Sequence, residues 1–203
     1  MRRVVVTGAE RIGWGATYDS LEFWSIVRAL RPAAAIAAEA ERIAPRRPHL
    51  GVHWRRGSFA WAHPEAVPSP AIAARQIASV ALAHGLTTVA LATDAAPDER
   101  DELRRSLDAT GIELEVVDLD ELVDPSVADH RRQLVALTVL ERSTWFLGTR
   151  GSSATAAVRE ARTASGRWSP EATWNVLCGD AHHPPDAEDA DHGPIWTTGT
   201  DRS

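Results

Sequence analysis

Four clusters in this chain have residue types and spacings that could do chemistry. In His53-Trp54-Arg55-Arg56-Gly57-Ser58-Phe59, a run of apolar residues leads into two arginines and a glycine. On an extended strand side chains alternate, which puts His53 and Arg55 on one face and Trp54 and Arg56 on the other. An arginine at a strand's carboxyl end suits a diphosphate, because its planar fork meets two oxygens at once. On local sequence alone, a solvated arginine pair beside a core histidine is the favoured reading, because charge pairs are usually solvated. Ala92-Thr93-Asp94-Ala95 places a carboxylate directly after an apolar run, where it could accept from a base or ribose hydroxyl. Taken alone, it reads better as a turn or helix-capping aspartate before the helix near Asp98. Phe146-Leu147-Gly148-Thr149-Arg150-Gly151-Ser152-Ser153-Ala154-Thr155 joins an apolar run to an alanine-rich helix through glycines and hydroxyls. The amides of Ser152, Ser153 and Ala154 would there form an anion site, or Ser152 or Ser153 would simply cap the helix. Gly8-x-x-x-x-Gly13-x-Gly15 follows a short apolar run, but lacks the spacing of a dinucleotide loop and reads as a glycine-rich turn.

Composition removes several alternatives. All 22 basic residues are arginine, so mechanisms that need a lysine are excluded: P-loop phosphate binding, Schiff bases and a Tyr-x-x-x-Lys reductase dyad. The last absence argues against a short-chain dehydrogenase, whose opening the Thr7–Gly15 region resembles. The net charge of −6 argues against a nucleic-acid partner. No apolar run reaches the roughly 20 residues of a membrane span, and the opening Met1–Gly8 is too short for a secretory signal. The single cysteine, Cys178, allows no internal disulfide and suits a reducing compartment, so a cytoplasmic location is expected. His182, His183 and His192 match no metal-ligand spacing, and no metal is expected.

The elements that must position these clusters follow from periodicity. Strands are expected at 4–6, 50–54, 87–92, 114–117 and 145–148, and helices at 21–30, 32–43, 72–83, 98–107, 126–142 and 152–164. Strand and helix alternate from residue 49 to 164, which implies an α/β fold: a parallel sheet with helices on both faces. Ligands in such sheets sit at the carboxyl ends of strands, and that is where the His53, Asp94 and Ser152 clusters fall. Residues 1–45 read as an N-terminal segment, 46–180 as the sheet domain and 181–203 as an irregular tail rich in Asp, His, Pro and Gly.

Taken in order, the clusters resemble the C-terminal half of the GDP-fucose protein O-fucosyltransferase family, in particular its thrombospondin-repeat branch. Gly51-Val52-His53-Trp54-Arg55-Arg56-Gly57-Ser58-Phe59 is similar to that family's His-x-Arg-Arg-x-Asp-Phe motif. Pro68-Ser69, Ala92-Thr93-Asp94-Ala95, Phe146-Leu147-Gly148-Thr149-x-x-Ser152-Ser153 and Thr173-Trp174-Asn175-x-x-Cys178-Gly179-Asp180 resemble further family motifs in the same order. The resemblance covers roughly residues 49 to 180. It implies a Rossmann-like domain, the nucleotide-binding half of a glycosyltransferase B architecture. It further implies GDP-fucose as donor, no metal, and transfer of the sugar to a hydroxyl acceptor with inversion. By the same resemblance, Arg55 is the catalytic residue that steadies the departing diphosphate, and His53 holds the nucleotide or orients Arg55. Asp94 lies near the nucleoside, and Ser152, Ser153 and Ala154 cradle the phosphates. The chain departs from the family at Ser58, where the motif is acidic, and at Ala136, where the family has an aspartate. The family's N-terminal half, which supplies the acceptor groove and, in this branch, a glutamate base, has no counterpart in residues 1–45. The chain is therefore expected to be a fragment or a reduced relative, inactive on its own. The alternative is a nucleotide-sugar-binding module without catalysis.

Overall fold

The computed structural model describes residues 21–64, 66–169, 172 and 175–179. The glycine-rich Gly8–Gly15 turn, the expected strand at 4–6 and the histidine-rich tail lie outside these residues.

Five parallel strands form one sheet: β1 (Leu50–Trp54), β2 (Thr88–Thr93), β3 (Glu115–Asp118), β4 (Trp145–Thr149) and β5 (Asn175–Leu177). Their order in space is β3-β2-β1-β4-β5. The helices are α1 (Leu21–Ala29), α2 (Ala34–Ile43), α3 (Gly57–Ala62), α4 (Pro70–Ala83), α5 (Pro97–Ala109), α6 (Leu119–Leu122), α7 (Asp129–Arg142) and α8 (Ser153–Ser165). Every residue of β1, β2 and most of β4 is buried, which is why these strands read as continuous apolar runs rather than as alternating ones.

Strand alternation sorts the core into two layers. Leu50, Val52, Trp54, Val89, Leu91 and Leu147 pack with Ile77 and Ala81 of α4 and Leu103 and Leu107 of α5. Ala90, Ala92 and Phe146 face the other way, toward Val139 and Leu140 of α7, Val158 of α8 and Ala40 and Ile43 of α2. The chain builds outward from β1 through β2 to β3, then α7 carries it back across to β4 on the other side of β1. That reversal puts α7 on the face opposite α4 and α5, as right-handed crossovers require. It also opens a crevice between the carboxyl ends of β1 and β4, the topological switch point of the sheet.

Arg162 of α8 is completely buried. Its guanidinium donates to the carbonyls of Glu141 at 3.0 Å, Ser143 at 2.6 Å and Ala172, and lies 4.4 Å from the Trp168 ring. Burial pulls its pKa down to about 10, so it remains charged at neutral pH at the C-terminal end of α7, where free carbonyls favour a cation.

Four elements differ most, in existence or in start, from the sequence expectation. β5 is absent from it, as are the short helices α3 and α6. The helix expected from residue 126 begins at Asp129.

Candidate functional site

The three clusters meet at the switch point. In register, His53 lies between Ala92 of β2 and Gly148 of β4. Arg55 leaves the end of β1 between the loops that follow those two strands.

Two threonines clamp the end of β1 from either side. Thr149 Oγ1 donates to the His53 carbonyl at 2.9 Å and accepts from the Arg55 N–H at 2.8 Å. Thr93 Oγ1 donates to the Trp54 carbonyl at 2.6 Å and accepts from the Ala95 N–H at 3.1 Å. Each hydroxyl extends the sheet ladder by one step beyond its own strand, and so fixes the backbone from which the Arg55 side chain departs.

Asp94 fills the turn that follows. It accepts the Arg56 N–H at 2.6 Å and forms an ion pair with the Arg55 guanidinium, each side chain being about one-third exposed. A Cβ at Gly57, whose φ is +46°, would stand 2.6 Å from Asp94 Oδ2, so this turn needs glycine both for conformation and for space. The capping alternative for Asp94 is overturned: the residue before α5 is Ala96, and its N–H is met by Glu99 Oε2 at 3.1 Å.

Arg56 turns the other way, as strand alternation requires. Its guanidinium contacts Glu99 and donates to the Pro68 carbonyl at 3.2 Å, and it sits 5.2 Å from the Trp54 ring. The reading of Arg55 and Arg56 as a solvated pair is thereby also overturned: each has its own acidic partner.

His53 is buried beneath α8 with Nδ1 2.8 Å from Thr155 Oγ1. Desolvation, reinforced by the Arg55 charge, pushes its pKa from 6.5 to about 4, so the imidazole is neutral at physiological pH. Its side chain therefore ties β1 to the first turn of α8. Gly148 makes that approach possible, since a Cβ there would fall 2.3 Å from Thr155 Cγ2.

The 149–153 loop turns through Gly151, at φ +75°, into α8. Ser152 is the residue before the helix; it is buried, and its own side chain makes no capping hydrogen bond. Ser153 is exposed and Ala154 half-buried. The start of α8, tied to His53 through Thr155, presents its first N–H groups at the end of β4, an arrangement suited to a phosphate.

Sequence reasoning passed over Thr93 and Thr149 as functional positions. A readable signal was that β2 and β4, the two neighbours of β1, both end in threonine. Nothing in the sequence pointed to Gln76 of α4, whose side-chain amide donates to the Cys178 carbonyl and accepts its N–H, both at 2.9 Å. That pair anchors the chain leaving β5 beside the site.

Fold and strand order together define a Rossmann-like α/β unit built on a five-stranded parallel sheet. No family model matches the chain. Over 134 residues it is 34% identical to GDP-fucose protein O-fucosyltransferase 2 of Homo sapiens, and over 136 residues 33% identical to the Caenorhabditis elegans protein of that name. These stretches make up 66% of this chain and 30% of each relative, so the chain spans about a third of the length of the curated relatives it matches. Over that stretch it is related to the GDP-fucose protein O-fucosyltransferases. POFUT1 in complex with GDP-fucose superposes with a TM-score of 0.59 at 18% identity, covering 78% of this chain and 50% of that one. POFUT1 in complex with GDP gives 0.54, also at 18% identity, over 73% of this chain and 50% of that one. The fold is that of half of the POFUT1 chain.

Proposed function

We propose that this chain is the GDP-sugar-binding part of an O-fucosyltransferase-like glycosyltransferase, with fucose as the sugar and a hydroxyl acceptor attacked with inversion. The observation that carries the reading is the placement of Arg55. It leaves β1 at the switch point, its N–H held by Thr149 and its guanidinium paired with Asp94, in a chain similar to proteins named for GDP-fucose transfer.

A diphosphate in the crevice would take the amides of Ser153 and Ala154 on one side and the Arg55 guanidinium on the other. Negative charge grows on the diphosphate as the bond to the sugar breaks, so a fixed guanidinium favours the transition state over the ground state. Arg55 already holds one carboxylate, Asp94, and its five donors leave room for a second anion. His53 contributes by holding α8 against β1 through Thr155, and Asp94 stands at the edge of the crevice where a ribose or base would lie. The reading needs no metal, because Arg55 and the α8 amides meet the developing charge. The acceptor and its base belong to parts of the reaction for which the described residues offer no candidate.

The test compares two adjacent arginines. Arg55→Ala is expected to weaken GDP binding by about 1.5–3 kcal/mol, the worth of a charge-assisted hydrogen bond. Arg56→Ala is expected to leave GDP affinity much closer to wild type, because its partners are Glu99 and Pro68. Equal losses in two folded variants would remove the assignment. Arg55→Lys should restore binding only in part, since lysine lacks the bidentate fork.

A further inference from the structure

Behind Asp94 lies a second arginine that touches none of the crevice residues' side chains. Arg100 of α5 folds back over the loop after β2. Its Nε donates to the Ala95 carbonyl at 3.0 Å and one terminal nitrogen to the Thr93 carbonyl at 2.9 Å. These are the carbonyls of the two residues that flank Asp94. The other terminal nitrogen donates at 3.0 Å to Asp118, whose side chain is 1% exposed at the end of β3. Asp120 stands 3.6 Å away and Arg104 also reaches Asp118, at 3.5 Å, so the anchor is a network and not a lone pair.

We infer that Arg100 is a positioning residue for the crevice: anchored on buried Asp118, it holds the Thr93–Ala95 backbone so that the Asp94 carboxylate meets the Arg56 N–H and the Arg55 guanidinium. The geometry requires each link. A guanidinium can hold two carbonyls and a carboxylate at once because its donors lie in one rigid plane, which an ammonium lacks. The carbonyls flanking Asp94 set the direction of its Cα–Cβ bond. Asp94 in turn sets the 55–57 turn, where it accepts the Arg56 N–H and lies against Gly57. Without the brace the Thr93 and Ala95 carbonyls would lose their side-chain donor, and Arg55 would meet a diphosphate only at the cost of its own ordering.

The inference rests on the GDP-binding reading, and two measurements on the full chain separate their failures. The first is hydrogen exchange at the Arg56 amide, which needs no ligand. Arg100→Gln and Arg100→Lys should each lose protection at Arg56 while the amides inside β1 keep theirs; unchanged Arg56 protection in a folded variant would overturn the inference. The second is GDP titration in a double-mutant cycle with Asp94→Ala. Residues coupled through a shared network show non-additive effects. Arg100→Gln should weaken GDP about tenfold in the wild-type background and change little when Asp94 is already alanine. A merely structural role would give the same loss in both backgrounds, and that result would overturn the inference, as would wild-type affinity in Arg100→Gln. Failure of wild-type chain to bind GDP would instead remove the functional reading, and with it any role of Arg100 toward a ligand.

Discussion

Acidification should unfold this protein early, and His53 is the main reason. In the unfolded chain its imidazole has the ordinary pKa of 6.5; in the fold, burial and the Arg55 charge depress it to about 4. Between these values the unfolded state binds the extra proton, so stability is fully present above pH 6.5 and falls as the pH drops toward 4. Integrating over that window gives a loss of about 2 kcal/mol by pH 5 and about 3 kcal/mol by pH 4 from this residue. Loss of that size is a large share of an ordinary domain's stability. The protonated ring would also carry a charge in the buried space where His53 Nδ1 meets Thr155 Oγ1, 2.8 Å away at the start of α8. Urea unfolding at pH 7, 6 and 5, on wild type and His53→Gln, isolates the effect. His49 is likewise depressed by burial and titrates in both proteins, so it cancels in the comparison. The variant should be less stable at pH 7, with a fall between pH 7 and 5 that is shallower by about 2 kcal/mol. Parallel curves for the two proteins would refute the assignment of a neutral, buried His53.

Gly148→Ala should destabilise by about 1–3 kcal/mol and weaken GDP binding, because the new methyl meets Thr155 and must displace the first turn of α8; thermal melts and calorimetry read the two effects. Arg162→Met should cost about 2–4 kcal/mol in urea unfolding, since it leaves the carbonyls of Glu141, Ser143 and Ala172 buried without a donor, and should leave the crevice intact in whatever fraction remains folded. Chelation with EDTA should leave GDP affinity unchanged if Arg55 and the α8 amides meet the diphosphate by themselves; a loss restored by a divalent cation would show that a metal takes part.

The sheet was legible because β1, β2 and β4 are short apolar runs bounded by turn residues, separated by segments of helical period. β5 was not: its three residues, 175–177, pair only with the edge of β4, and tertiary pairing rather than local pattern makes them a strand. α3 carries no buried residue, so no apolar periodicity marks it; the φ of Gly57 and the Arg56–Asp94 bond start it instead. α7 starts at Asp129 and not at 126, because the Ser126 N–H is taken by Asp124 Oδ1 at 2.8 Å in a local turn. At the site, residue types at strand ends were readable from the sequence, and so was the divergence of Arg55 and Arg56. The pairing of Arg55 with Asp94 was not, because it joins the ends of two strands whose adjacency and register only the fold supplies. Arg100 was hidden for another reason. On a helix as charged as 97–109 it looks like a solvated residue, and only its contacts with the Thr93 and Ala95 carbonyls set it apart.

If the crevice between β1 and β4 takes a guanosine diphosphate in preference to other nucleotides, calorimetric titration of the chain with GDP, GDP-fucose, UDP and NAD will show it. Saturable binding of GDP and GDP-fucose is expected, tighter than that of UDP or NAD, and lost in Arg55→Ala. Tighter binding of UDP or NAD than of GDP, or GDP binding indifferent to Arg55, would contradict it.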